Sequence, residues 1–143
     1  MYSQTRSRYE IDTELTYPGR MTRPMVILYD LGHGNSDNMF DYKEAERVIE
    51  MAEQKIDSVL MIVFGSVVNG TADKDSDLDL MIVKESDENR FIVGVEARFA
   101  LDDSKIPIDI IVYTPEEFKR GLLNKYSLVH EAVTTGRVIH GSV

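Results

Sequence analysis

Two apolar segments that read as strands, Leu78 to Val83 and Ile106 to Tyr113, each carry a carboxylate in their interior. Asp79 interrupts the first, and Asp109 interrupts the second in Ile108-Asp109-Ile110-Ile111-Val112. Asp is disfavoured in strands, and a buried charge is costly unless it is paired or bound to a metal. Side chains alternate faces along a strand, so Asp77 and Asp79 point one way and Leu78, Leu80 and Ile82 the other. If the two strands are neighbours, Asp77, Asp79 and Asp109 converge at one end of a sheet. Three like charges there would repel and raise one another's pKa. A hard divalent cation relieves that repulsion, because Mg²⁺ binds through a few carboxylates, water and substrate phosphate oxygens.

The rest of the pattern supplies the sheet and its cover. Ala45, Val48, Ile49, Ala52 and Ile56 follow helical spacing, with Asp37 or Asp41 as N-cap. Val59 to Phe64 is a continuous apolar run, the mark of a strand buried on both faces. Gly65-Ser66 closes it and can open a helix, followed by a loop from Asn69 to Asp77. Asp87 is placed to cap a helix reaching about Leu101. Thr114-Pro115-Glu116-Glu117 combines an N-cap Thr, Pro at the first helical position and Glu three after the Thr. Leu128, Val129, Ala132 and Val133 mark a last helix with Gly136 as its C-terminal cap, before a short strand from Arg137 to His140. This order predicts an α/β (α+β) domain, a short mixed sheet with helices packed against it.

The regular pattern occupies residues 41–143. Residues 1–40 read as an N-terminal extension, with an isolated strand-like run from Met25 to Tyr29 behind Pro24 and a turn at Gly32-His33-Gly34-Asn35. The chain of 143 residues has no cysteine, which excludes disulfides, thiolate metal sites and a cysteine nucleophile. Three histidines leave little for a His-rich metal site, and His140 in the final strand is the least idle of them. No segment has the ~18 consecutive apolar residues of a membrane span, and the polar N-terminus is unlike a secretory signal. A cytoplasmic protein that does not contact membranes is the expectation. The net charge of −9 disfavours binding to a nucleic-acid backbone, which relies on Lys and Arg.

Gly65-Ser66, ten residues, then Asp77-Leu78-Asp79, with Asp109 on a later strand, resembles the signature of the DNA polymerase β-like nucleotidyltransferase superfamily. The similarity covers about Asp41 to Gly141. It is strongest to the minimal nucleotidyltransferase (MNT) group, small relatives of the kanamycin nucleotidyltransferases. The resemblance implies transfer of a nucleoside monophosphate, AMP from ATP or another NTP, to a hydroxyl. It implies that Gly65 and Ser66 hold the terminal phosphates. Asp77 and Asp79 would bind Mg²⁺ or Mn²⁺, and Asp109 the catalytic metal beside the acceptor. Many relatives carry Arg where this chain has Asn69, and Lys74 or Arg47 are the cations near enough in sequence to replace it. Asp73, Asp75 and Ser76 are expected to form the turn. MNT proteins of this size resemble the antitoxin that adenylylates a HEPN-type toxin, so a toxin protein is an expected partner, and a second copy of the chain remains open. The alternative is a catalytically weak or inactive module that binds nucleotide or masks a partner.

Overall fold

Alternation along the strands divides the core into two layers, one on each side of a four-stranded sheet. The computed structural model describes residues 39–143. The readings made for Met25 to Tyr29, for the turn at Gly32 to Asn35 and for Asp37 as a cap lie outside the described residues.

The chain enters through Met39, which bridges Asp73, and Phe40, whose buried ring meets Tyr42 edge-on at 5.1 Å. Helix α1 (Tyr42–Lys55) starts at Asp41, whose side chain accepts the Glu44 N–H at 3.0 Å. Strand β1 (Leu60–Phe64) follows, then the single-turn α2 (Ser66–Asn69) and strand β2 (Leu78–Val83). Helix α3 (Arg90–Ala100) carries the chain across to β3 (Ile108–Tyr113). Helices α4 (Pro115–Leu122) and α5 (Leu128–Thr135) lead to the last strand, β4 (Arg137–His140).

The strand order is β3-β2-β1-β4. β1 is antiparallel to β2 and β4, whereas β2 and β3 are parallel. Met61, Val63, Leu78, Leu80 and Ile82 face one layer with α1 and with Val93, Ala97 and Leu101. Leu60, Ile62, Phe64, Met81 and Val83 face the other, with Phe118 and Leu122 of α4 and Val129, Ala132 and Val133 of α5. β1 is buried along its whole length, as its unbroken apolar run predicts.

The structure corrects the sequence reading at the start of α3 and at the start of β3. Asn89, not Asp87, caps α3, its side chain accepting the Phe91 N–H at 2.8 Å. β3 begins two residues late, at Ile108, because Pro107 has no N–H to give; its carbonyl accepts from Leu78 N at 2.9 Å. Gly136 does cap α5, but its φ of −80° is available to any residue. Glycine is needed there for space, since a Cβ would press on the Ala132 and Val63 carbonyls and on Ile62. At Thr114 the reciprocal capping box forms in full.

Candidate active site

The parallel register between β2 and β3 sets Asp79 directly beside Asp109. Asp79 alternates with Met81 and Val83, and Asp109 with Ile111 and Tyr113, so both point to the layer holding α4 and α5. Asp77, one residue before β2 begins, keeps the same parity but is exposed. Asp79 is half-buried on an inner strand, whereas Asp109 lies exposed on the sheet edge. Burial pushes the Asp79 carboxyl up to about 6, with further contributions from the charges of Asp109, Asp77 and Glu131.

The antiparallel register sets Phe64 opposite Asp79, and Gly65 follows at the start of α2. Gly65 has φ 79°, and a Cβ there would collide with Asp79 Oδ2. Both constraints demand glycine. The Asp79 carboxylate therefore rests against the backbone at the Gly65-Ser66 turn. Ser66 is the half-buried first residue of α2. The Gly65 carbonyl accepts from Val68 N at 3.1 Å and Asn69 N at 3.0 Å. Gly70, at φ 78°, then closes the turn and sends the chain toward β2.

The connecting loop is built as a turn, as its residues predict. Asp73 accepts the Asp75 N–H at 2.9 Å, and Ser76 Oγ accepts the Asp73 N–H at 2.9 Å. Arg47 does not fill the role of the missing cation. Its guanidinium is held by Glu44 on its own helix and by Asp103 at 3.2 Å. Lys74 is exposed within the turn. His140 lies at the far end of the sheet, paired in register with Met61 and 3.9 Å from Glu53, so it takes no part in the carboxylate cluster.

Two residues beside the carboxylates were not singled out from sequence. Glu131, in the first turn of α5, contributes its charge to Asp79. Arg98 of α3 donates to the Ile108 carbonyl at 3.1 Å, and its other terminal nitrogen is 3.9 Å from Asp109 Oδ1. Neither position breaks a helical pattern, so the sequence holds no signal for them.

Among the described residues, no three His, Cys, Asp or Glu side chains are gathered into a ready metal-holding group. Asp79 and Asp109 nevertheless present hard oxygens from adjacent strands, and their mutual repulsion favours a cation. That donor set fits Mg²⁺, which keeps several waters and takes one or two carboxylates plus substrate phosphates.

A family profile described as a nucleotidyltransferase domain matches residues 45–135, which is more than half of the chain. The chain belongs to the nucleotidyltransferase domain family. Its four-stranded mixed sheet with five helices among the described residues is the polymerase β-like nucleotidyltransferase fold. No curated protein matches the chain significantly. Among solved structures, it is similar to a chain in one described as the crystal structure of the toxin-antitoxin with AMP-PNP. The identity is 22% and the TM-score 0.42, covering 68% of this chain and 73% of that one. No described helix of this nucleotidyltransferase domain is long and apolar enough to cross a membrane.

Proposed function

We propose that this nucleotidyltransferase domain moves AMP from ATP to a hydroxyl on a partner protein, in the manner of an MNT-type antitoxin acting on a HEPN-type toxin. The observation that carries the reading is the packing of Asp79 against Gly65 with Asp109 alongside. It supports the reading because the Gly65-Ser66 turn lies against Asp79 and next to the strand that carries Asp109.

In this reading Gly65 and Ser66 cradle the terminal phosphates, with glycine letting a phosphate come close to the backbone. Asp77, Asp79 and Asp109 would hold Mg²⁺ or Mn²⁺, which supplies charge neutralisation for the triphosphate. The acceptor oxygen forms a bond to the α-phosphorus, and the bond from that phosphorus to the β-phosphate bridging oxygen breaks. Pyrophosphate leaves with the electron pair. The hydroxyl proton passes to Asp109 or to water. Positioning of the two reactants supplies most of the rate.

The test is incubation of the full chain with Mg²⁺, labelled ATP and a neighbour-encoded HEPN-type protein. Label on that protein, absent with Asp79→Asn, is the expected result; label nowhere in the mixture would count against it. The second reading is a module that binds nucleotide without transfer. It is favoured by Asn69 in place of Arg and by the engagement of Arg47 elsewhere. Calorimetry showing metal-dependent ATP binding with no turnover would support that reading.

A further inference from the structure

Asp109 is carried on an edge strand, and that has consequences for how an acceptor reaches it. β3 has β2 on one side and no strand on the other among the described residues. Pro107 and Tyr113 direct their carbonyls inward, to Leu78 N and Lys84 N, both at 2.9 Å. Strand alternation then turns the N–H and C=O groups of Ile108, Ile110 and Val112 outward. The Ile108 carbonyl does point that way, where it accepts from the exposed Arg98 guanidinium at 3.1 Å, so a strand pairing at Ile108 must displace that side chain.

We infer that the acceptor is presented as an extended polypeptide segment added antiparallel to the outer edge of β3, with its hydroxyl-bearing residue directly opposite Asp109. This rests on the transferase reading above and names how its acceptor is held. In such a pairing, Ile108, Ile110 and Val112 form the hydrogen-bonded positions. Asp109 becomes a non-hydrogen-bonded position, where opposed Cα atoms lie ~4.5 Å apart and the two side chains share a face. The peptide residue opposite Asp109 thus projects to the carboxylate side of the sheet.

Its two neighbours project to the opposite side. There an open cavity of about 150 Å³ is lined by Leu101, Ser104, Ile106, Ile108, Ile110 and Arg98. The half-exposed isoleucines of this cavity suit apolar or β-branched side chains. α3 also exposes Phe91 and Phe99, 73% and 71% accessible. A nucleic acid has neither the backbone donors to pair this edge nor the charge to suit a chain of net −9. The recognition is therefore of a peptide backbone, with a hydroxyl flanked by apolar residues.

The probe is a library of short peptides with a central Tyr, Ser or Thr and randomised flanks, incubated with the full chain, Mg²⁺ and ATP. Each peptide that takes AMP is remade with N-methyl groups on the two residues flanking the hydroxyl. Amide exchange of β3 is followed in parallel by NMR. The expected result is preference for apolar flanks and slower exchange at Ile108, Ile110 and Val112 on peptide binding. N-methylation is expected to lower transfer more than about tenfold, the effect of losing two hydrogen bonds. Ile110→Pro removes an outward N–H without breaking the ladder to β2 and should do the same, with ATP binding retained.

Equal transfer to the N-methylated peptides, or transfer only to an RNA hydroxyl, overturns the docking while leaving the transferase reading intact. Slowed exchange at those three amides without AMP transfer keeps the docking and removes the transferase reading. The absence of both peptide binding and transfer removes both. Slow exchange at those amides before any peptide is added, or a doubled mass, shows that another part of the chain or a second copy covers the edge. Either also overturns the proposal.

Discussion

Strands β2 and β3 run in parallel with matched apolar sequences, and each places one Asp at its second position. Their chemistry differs. β2 is an inner strand, and Asp79 is half-buried with its carboxyl raised to about 6. β3 is an edge, and Asp109 has 54% of its side chain exposed with Arg98 nearby. The same residue in the same local pattern becomes a half-buried carboxyl with a raised pKa on one strand and an accessible group on the next. Position in the sheet makes the difference, because dielectric and neighbouring charge vary over a single strand spacing.

The largest effect that would break this pairing comes from Gly65→Ala. The new Cβ would meet Asp79 Oδ2 at a backbone φ of 79°, so the turn must distort. A stability loss of roughly 2 kcal/mol is expected from strain of this kind, with loss of nucleotide transfer. Urea denaturation and the transfer assay measure the two effects. An Ala variant as stable and active as the parent would refute the contact.

Next come the two carboxylates. Asp79→Asn and Asp109→Asn are each expected to abolish transfer, but they should part in stability. The raised pKa of Asp79 means that the folded state binds its proton more tightly than the unfolded chain. Its contribution is fully present below about pH 4 and is lost as pH rises through about 6. In metal-free buffer Asp79→Asn should therefore raise Tm by on the order of a few degrees above pH 6, and the gain should vanish near pH 4. Asp109→Asn should shift Tm little at either pH. Melting curves across that range check both. A lower Tm for Asp79→Asn at pH 8 would remove the repulsion argument.

Mg²⁺ or Mn²⁺ sharpens the contrast further. Added metal should raise the wild-type Tm with concentration, by mass action on the folded state. The increase should be abolished by chelator and lost in Asp79→Asn. The smallest expected effect is that of Arg98→Ala. Its pair with Asp109 is more than half exposed on both sides, so the pair itself should contribute under ~1 kcal/mol. Thr114→Ala serves as a remote reference, expected to cost about 1 kcal/mol through the lost cap while leaving transfer intact.

Much of this arrangement could be read along the chain. The element order, the burial of β1 and the box at Thr114 follow from local pattern and capping chemistry. The shared face of Asp77 and Asp79 follows from the two-residue period of a strand. The helix start at Asn89 was less legible, because Asp87 and Asn89 offer equivalent capping groups and only the fold selects one. The engagement of Arg47 was not legible either, because its partner Asp103 is brought to it by packing between distant segments.

By itself, then, the sequence determined which residues form strands and helices, and which strands carry a carboxylate. These follow from interactions within a few residues. Only the tertiary structure decided that Asp79 lies beside Asp109, that its carboxyl presses on Gly65, and that Asp109 occupies an edge. Those depend on strand order and register, which are set by how the two apolar layers close over the sheet.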